Sequence, residues 1–369
     1  MRIALAHPYV WPDVRRGAER YVDDLARYLV GRGHDVEIVT GTEGPTRTES
    51  RADGVVVHHR HHVGMLKLAR VGVDRVQAFL LTALPALAGS RHDVVHAMVP
   101  AAAVAGRVAR RPTAFTFIGH PTADQYRALS RSDRALFRLA SRTATATTAL
   151  SDASAGSVRG LLGRRPEVLP PGVRLDRFPP ELGPRPGPPR LLFSAAPADR
   201  RKGLDLLLRA LPAVLDVWPD ARLQVSGQGD PAWAFAAVPH GERDRVRAAV
   251  DLLGPGGADD IPARYRAATV TVLPAVHEAF GLALVESLAS GTPVVATADG
   301  GMTDIVTDDA VGRTFAAGDV AGLAAALLDG IALAARPGTP ATCAAHATAW
   351  GWEESIGPRH EELYRRIAR

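Results

Sequence analysis

A proline-rich segment near the middle of the chain restricts the possible folds more than any other feature. Residues 165–189 read RPEVLPPGVRLDRFPPELGPRPGPP and hold nine prolines and three glycines. Proline fixes φ and has no backbone N–H, so neither a helix interior nor a central strand continues through this stretch. It therefore predicts a stiff linker. The chain of 369 residues is long enough for a domain with its own core on each side.

Short apolar strands alternate with amphipathic helices in both halves. RIALAH (2–7) precedes a helical pattern over 18–33 and the strand DVEIVTG (35–41), and after the linker RLLFSAA (190–196) precedes a helix over 203–217. The other predicted strands are 93–98, 113–119, 143–151, 222–227, 269–274 and 293–298. This order predicts the α/β class, with two doubly wound Rossmann-like domains built on parallel sheets.

The predicted boundaries follow from this pattern. The first domain covers 1–168, the linker 169–189 and the second domain 190–348, and residues 349–369 end in an amphipathic helix. Ligands of open parallel sheets bind beyond the carboxyl ends of the strands. We therefore expect the site in a central cleft between the two domains, lined by strand-to-helix loops.

Composition favours a cytoplasmic protein. The longest apolar-rich stretch, 76–90, is too short to span a membrane and contains Pro85, and the N-terminal MRIALAHPYV is typical of a first strand rather than a signal peptide. The single cysteine, Cys343, excludes an internal disulfide and a thiolate metal cage, which suits a reducing compartment.

The charge of the chain is spread unevenly. Residues 1–165 hold 24 arginines and lysines against 14 aspartates and glutamates, whereas residues 166–369 hold 20 against 25. A helical stripe of arginines in the basic half comprises Arg131, Arg134, Arg138 and Arg142. It is either a solvated face or, together with the amphipathic stretch 65–81, a weak peripheral contact with anionic lipid at the inner membrane face. An acidic or phosphorylated acceptor suits the same charge, and no nucleic-acid partner is predicted.

The run HEAFGLALVESLASGTPVVATADGG (277–301) places two acids beside apolar residues. Glu278 follows the predicted strand 269–274, at the end where ligands bind. The first-turn amides that suit a phosphate or sugar oxygens belong to Phe280, Gly281 and Leu282. Glu286 lies two turns further in, and a buried carboxylate there commonly binds a vicinal diol, as in dinucleotide folds. The alternative is a helix-start acid with a structural ion pair.

The same run closely resembles the Glu-x7-Glu motif of family-four glycosyltransferases, which are retaining enzymes with the two-domain GT-B fold. Three further segments are similar to that family: HPYVWPDVRRGAERYVDDLARYLVGRGHDV to its first loop and helix, VLPPGVRLDRF to its interdomain entry, and RKGLDLLLRALPAVLDVWPDARLQVSGQGD to its lysine-glycine helix and next strand. The resemblance covers nearly the whole chain. It implies an acceptor-binding first domain, a nucleotide-sugar-binding second domain, and a closing helix (WEESIGPRHEELYRRI) that crosses back to the first domain.

The resemblance also implies residue roles. The implied catalytic residues are Glu278 and His120 at the sugar and Lys202 at the leaving diphosphate. The implied donor-binding residues are Gly17, Arg201, Ala279, Phe280, Gly281, Leu282 and Glu286, with Glu286 on the ribose. One departure concerns the diphosphate, because Ala196 and Pro197 stand where the family has a glycine-arginine pair. Arg200 or Arg201 would replace the family's arginine at the diphosphate, and Arg201 is favoured.

The function implied is that of a retaining hexosyltransferase that needs neither a metal ion nor another cofactor. Its donor would be a UDP-, GDP- or dTDP-sugar, and its acceptor a hydroxyl of an unidentified natural product, lipid or glycan. Fixed cations and amides can stabilise a leaving diphosphate, and the sequence contains no Asp-x-Asp for a bridging metal ion. The alternatives are a sugar-nucleotide isomerase or epimerase of the same fold and a non-catalytic sugar-nucleotide-binding homologue.

Several histidines have alternative interpretations. HHRHH (58–62) resembles a metal cluster, but Arg60 interrupts it, so a solvated strand end is predicted. His7 and His96 end predicted strands and either line the cleft or are structural. His277 adjoins Glu278, and a packing role is predicted for it.

Overall fold

The computed structural model describes residues 1–61, 75–183, 185–257 and 259–369. These residues divide into two units, each built around its own sheet. Unit 1 comprises Met1–Gly172 and Trp352–Arg369, and unit 2 comprises Val173–Gly351. The border between Gly172 and Val173 falls inside the segment that the sequence predicts as a linker.

Both sheets are almost entirely parallel. The strands of unit 1 are β1 (Arg2–Ala6), β2 (Asp35–Thr42), β3 (Arg47–Ser50), β4 (Val56–His61), β5 (Val94–Ala97), β6 (Thr113–Phe117), β7 (Ala146–Ala149) and β8 (Glu167–Val168). Those of unit 2 are β9 (Arg190–Ser194), β10 (Arg222–Ser226), β11 (Val250–Leu252), β12 (Val270–Leu273), β13 (Val294–Thr297) and β14 (Gly312–Phe315). The spatial orders are β3-β4-β2-β1-β5-β6-β7-β8 and β11-β10-β9-β12-β13-β14. Among the described strands, only β3 and β4 pair antiparallel.

Helices provide most of the connections between parallel strands, the usual form of a crossover. They are α1 (Gly17–Gly31), α2 (Arg75–Gly89), α3 (Pro100–Val108), α4 (Ala123–Ala128), α5 (Arg131–Thr143), α6 (Asp152–Leu162), α7 (Leu204–Val217), α8 (Ala232–Ala236), α9 (Arg243–Ala248), α10 (Asp260–Ala267), α11 (Leu282–Ala289), α12 (Val320–Ala334), α13 (Thr339–Ala347) and α14 (Gly357–Ile367). Short 3-10 turns cover Leu175–Arg177, Arg200–Lys202, His240–Glu242, Gly300–Asp304 and Thr348–Trp350. Two Rossmann-like α/β domains are therefore confirmed.

Within the described ranges, no single helix is long and apolar enough to cross a membrane. One bent pair, Val320–Ala334 with Thr339–Trp350, reaches that length and composition only when its two parts, which turn by 106°, are taken together.

The edge of the first sheet differs from the sequence-based prediction. β3 has the polar, fully exposed sequence RTES, so no apolar periodicity marks it. The prediction of a solvated strand end at HHRHH holds at His61, which is exposed at the end of β4, and was wrong for His59, because β4 lies between β2 and β3. His59 is buried there, and His58 Nε2 lies 3.1 Å from Glu37 Oε2. His62 and residues 65–74 lie outside the described residues. No group of three or more potential metal ligands (His, Cys, Asp or Glu) occurs in the part of the chain that the structure describes.

The C-terminal segment belongs to unit 1, as the resemblance implies. It begins as a π-helical turn, Trp352–Ile356, and continues as α14. The indole of Trp352 stacks on the rings of Tyr21 and Tyr28, with centroid distances of 6.1 and 5.9 Å. A Cβ added to Gly172 would clash with that indole, and a Cβ added to Gly357 would clash with Tyr28. Close aromatic packing therefore fixes the segment on unit 1.

A buried polar network connects α14 with the first sheet. Tyr21 Oη lies 2.8 Å from His360 Nε2, and His96 Nδ1 lies 2.7 Å from Tyr364 Oη. His96 Nε2 lies 2.6 Å from Thr116 Oγ1. Burial lowers the pKa of His360 to about 4, and burial followed by the neighbouring His360 lowers the pKa of His96 well below its ordinary value. His96 thus has a structural role in a network of neutral groups.

Candidate active site

Lys202 and Glu278 meet at the carboxyl edge of the second sheet. Lys202 Nζ lies 2.5 Å from Glu278 Oε2, and both side chains are about four-fifths buried, with 20% and 19% of their surfaces exposed. Gly203 makes this approach possible, because its φ is +71° and a Cβ there would clash with the carbonyl oxygen of Pro274. The turn that carries Lys202 is thereby held against the end of β12.

The loop that carries Glu278 is supported from behind by residues 299–301. Asp299 Oδ2 accepts a bond of 2.5 Å from the amide of His277, and the amide of Gly301 donates to the Glu278 carbonyl over 2.8 Å. A Cβ on Gly300 would clash with that same carbonyl. His277 has a φ of 55°, uncommon for a residue other than glycine, and its side chain is 44% exposed. The packing role predicted for His277 was therefore wrong.

The helix that follows begins at the residues predicted to contact the donor. Gly281 is the N-cap of α11 with φ at +109°, and α11 starts at Leu282. Ala279 and Phe280 are buried just before it, with 8% and 3% of their surfaces exposed. First-turn amides of a helix point along its axis toward the N-terminal end, where they favour oxygen-rich or anionic ligands. That these amides contact the donor sugar stays a prediction.

Glu286 is buried inside α11, as predicted, with 2% of its surface exposed. Its Oε2 lies 3.0 Å from the hydroxyl of Tyr265, which comes from α10. That hydroxyl also lies 3.0 Å from Oγ of Ser194, the last residue of β9. The structure thus places the acid at the carboxyl edge of the sheet.

Both candidate substitutes for the missing arginine already have partners. Arg201 donates to Asp199 Oδ2 over 2.6 Å and is half exposed. Arg200 lies over the indole of Trp233 at 4.8 Å from the ring centre. The indole N–H donates to the carbonyl of Pro197 over 2.9 Å, so the residue in the arginine position supports the ring on which Arg200 rests. That Arg201 contacts the diphosphate stays a prediction.

Gly17 and His120 belong to unit 1. Gly17 is the first residue of α1, and the N-cap residue Arg16 donates from its guanidinium to Glu19 Oε1 over 2.5 Å. His120 follows β6, and its Nδ1 lies 3.4 Å from Oγ of Ser154. The donor contacts of Gly17 and His120 likewise stay predictions.

Sequence reasoning did not assign four residues of unit 2 that support this region: Tyr265, Asp299, Gly300 and Gly301. Tyr265 has no neighbouring signal in the sequence, since its partners Ser194 and Glu286 are 71 and 21 residues away. Asp299 and the glycine pair after it had a signal, because ADGG follows a predicted strand and adjacent glycines indicate close backbone approach.

Two family models match the chain in sequence. Residues 15–177 match the model described as Glycosyltransferase Family 4, and residues 188–332 match the one described as Glycosyl transferases group 1.

Known proteins resemble the chain to different extents. The phosphatidyl-myo-inositol mannosyltransferase of Mycobacterium leprae is 30% identical, over 89% of this chain and 87% of that protein. The D-inositol 3-phosphate glycosyltransferase of Streptomyces scabiei is 35% identical, over 53% of this chain and only 47% of that protein. Sucrose-phosphate synthase from Thermosynechococcus elongatus superposes with a TM-score of 0.81 at 21% identity, over 99% and 98% of the two chains. Anabaena HepE in complex with UDP-glucose superposes with a TM-score of 0.69 at 18% identity, over 100% and 99%. The fold class is GT-B.

Proposed function

The chain belongs to the group 1, family-four glycosyltransferases, and from this premise we propose that it moves a hexosyl group from a nucleotide-diphosphate sugar to an acceptor hydroxyl, with retention and without a metal ion. Membership in this family supports glycosyl transfer in general. The single observation that best supports the more specific proposal is the ion pair of Lys202 with Glu278, in which a fixed cation lies 2.5 Å from a fixed anion.

The charges that develop in glycosyl transfer match this pair. Cleavage of the sugar–phosphate bond leaves negative charge on the diphosphate and positive charge at the anomeric carbon. A fixed ammonium stabilises the first charge, and carboxylate or carbonyl oxygens stabilise the second. Lys202 would therefore bind the diphosphate while Glu278 holds hydroxyls of the sugar, and the first-turn amides of α11 would assist.

Retention needs no protein nucleophile in this proposal. The acceptor hydroxyl would approach the anomeric carbon on the face that the diphosphate leaves. The new bond from the acceptor oxygen forms as the bond to the phosphate oxygen breaks, and the acceptor's proton passes to the departing phosphate. The role of the protein is positioning and electrostatic stabilisation.

An anionic acceptor fits the charge of the N-terminal half best. Residues 1–165 carry an excess of ten positive charges, and a basic surface attracts phosphorylated ligands. Two relatives have phosphate-bearing inositols in their names. We therefore propose a phosphorylated acceptor and a cytoplasmic location, with peripheral contact at the inner membrane face if that acceptor is a lipid.

A two-step experiment tests the proposal. Thermal shift with UDP-, GDP-, ADP- and dTDP-sugars identifies the donor, and transfer is then assayed with D-inositol 3-phosphate against unphosphorylated inositol as the matched control. NMR of the product reports the anomeric configuration, and a chelator arm tests metal dependence. Donor binding without transfer or hydrolysis would favour a non-catalytic homologue, and donor conversion without acceptor would favour an isomerase. Loss of activity on chelation that a divalent ion restores would contradict the metal-free proposal.

A further inference from the structure

The hydroxyl of Tyr265 connects the acid of α11 with the end of β9. It lies 3.0 Å from Glu286 Oε2 and 3.0 Å from Ser194 Oγ, and Tyr265 is 1% exposed. An ionised carboxylate only accepts hydrogen bonds, and a phenol has one proton to donate. Both Glu286 Oε2 and Ser194 Oγ accept from this hydroxyl, and the ionised carboxylate is the stronger acceptor for its single proton.

Contacts away from the hydroxyl fix the position of Tyr265. Its ring packs edge-on against Phe178, with 5.9 Å between the ring centres. Its backbone carbonyl accepts a bond of 2.7 Å from Thr292 Oγ1, and the Thr292 amide donates to Ser287 in α11 over 3.0 Å. The tyrosine and the helix that carries Glu286 are thus tied together at two places, so the phenol–carboxylate distance is set by the fold.

The side chain of Glu286 is long and flexible, so it needs such support to stay in one position. Glu286 has several rotatable bonds, and burial of its charge is costly unless hydrogen bonds compensate. An ionised carboxylate has about four lone-pair positions, so a bond from Tyr265 does not use up its capacity to accept more. A carboxylate held in one rotamer can then accept both hydroxyls of a vicinal diol.

We propose that Tyr265 is a positioning residue that holds Glu286 against the ribose, and that the two together make the site select nucleotides with a 2′,3′-diol. The inference rests on the proposed function, because it takes Glu286 to meet a nucleotide ribose. It favours UDP-, GDP- or ADP-sugars over donors with a 2′-deoxyribose such as dTDP-sugars.

Calorimetry on Tyr265→Phe, with ribose and 2′-deoxyribose nucleotides as paired probes, tests the proposal. The pairs are UDP, GDP and ADP, each with its 2′-deoxy form, and the pair that the wild-type chain binds is used. The wild-type chain is expected to prefer the ribonucleotide by ~10-fold or more, the effect of a hydrogen bond to a charged group. In Tyr265→Phe the ribonucleotide should lose about that factor, whereas the 2′-deoxy form should change by less than about twofold.

Phe178→Leu is the matched control, because it alters the packing of the Tyr265 ring and leaves the hydroxyl in place. It should lower the melting temperature and keep the ratio of the two affinities. If Tyr265→Phe does not fold, Ser194→Ala replaces it. Ser194 Oγ competes with Glu286 for the single phenol proton, so its removal should keep or raise the same ratio, and a lower ratio would overturn the proposal.

The outcomes separate this inference from the function on which it rests. Equal losses for both nucleotides in Tyr265→Phe would indicate a merely structural tyrosine and overturn the proposal. So would a wild-type chain that binds both forms equally. If the wild-type chain bound none of these six nucleotides and no dTDP, the proposed donor class itself would fall, whereas binding of dTDP alone would overturn only the ribose preference.

Discussion

Lys202 and Glu278, 76 residues apart in sequence, form an ion pair of 2.5 Å between Nζ and Oε2. The carboxylate therefore neutralises the cation that we assign to the diphosphate. A diphosphate that binds must take over Lys202, and this exchange frees Glu278 for hydroxyls of the sugar. In the proposed function the pair would thus couple binding of the diphosphate to exposure of the carboxylate, and each partner has its own predicted effect.

Replacing Lys202 with alanine should weaken binding of free UDP or GDP. The variant loses a charge-assisted contact, and we expect an affinity loss of about tenfold or more. Calorimetry measures the loss, with Arg245→Ala as the control. Arg245 is an exposed cation of the same unit, paired with Asp216 over 2.7 Å, so its removal makes the same charge change away from the site. Equal affinities in Lys202→Ala and wild type would remove Lys202 from the diphosphate.

Replacing Glu278 with glutamine should affect binding and transfer in opposite ways. The change removes the charge that neutralises Lys202, so affinity for the free nucleoside diphosphate should stay the same or rise. Transfer should fall roughly 100-fold or more, as for loss of one transition-state contact. Steady-state transfer and calorimetry on the same preparation measure the two effects. Near-normal turnover would exclude Glu278 from the reaction.

Replacing Gly203 with alanine should destabilise unit 2 and disturb the ion pair. The alanine would have to adopt a φ of +71°, and its Cβ would clash with the carbonyl of Pro274. We expect a loss of about 2 kcal/mol or more in the free energy of unfolding. Gly241→Ala is the matched control, because an added Cβ there meets no atom within 4 Å. Equal melting temperatures for the two variants would contradict the argument.

The fold could be predicted from the sequence wherever a buried strand consists of consecutive apolar residues. Ile3, Ala4, Leu5 and Ala6 of β1 have no exposed surface, so the fold requires apolar residues there and the pattern is visible. β3 (RTES) is a polar edge strand whose pairing with β4 depends on tertiary context, and no periodicity marked it.

The candidate site could be predicted in part, for a similar reason. Lys202 and Glu278 each follow a strand, and chain position alone places them at the ligand-binding edge. Their mutual contact and the bond from Tyr265 to Glu286 depend on distances across the sheet, which no local pattern encodes. The support from Asp299 depends likewise on how the loop after β13 folds back on His277.

Acid should destabilise unit 1 well before its carboxylates titrate. Burial lowers the pKa of His360 to about 4 and that of His96 well below 6.5, so the folded chain excludes protons that the unfolded chain binds. Their contribution to stability is complete above the unfolded pKa of 6.5 and is lost progressively as the pH falls from there toward 4. Between pH 7.5 and 5 the lowered pKa of His360 should cost about 2 kcal/mol of stability, and the lowered pKa of His96 adds to this loss.

Carboxylates change the stability of unit 1 only at lower pH, so the effect of the histidines can be measured separately from theirs. Hydrogen bonds from His58 and then His92 lower the pKa of Glu37. The stability that Glu37 contributes is therefore present above the ordinary pKa of 4.5 and is lost only below it.

Urea titrations at pH 7.5, 6.5, 5.5 and 5, with hydrogen exchange of amides in β5 and α14, report on the stability of unit 1. His240→Ala removes an exposed histidine and should leave the pH dependence unchanged. A stability of unit 1 that stays flat from pH 7.5 to 5 would mean that the folded network accepts protons, because only equal proton binding in both states removes the dependence.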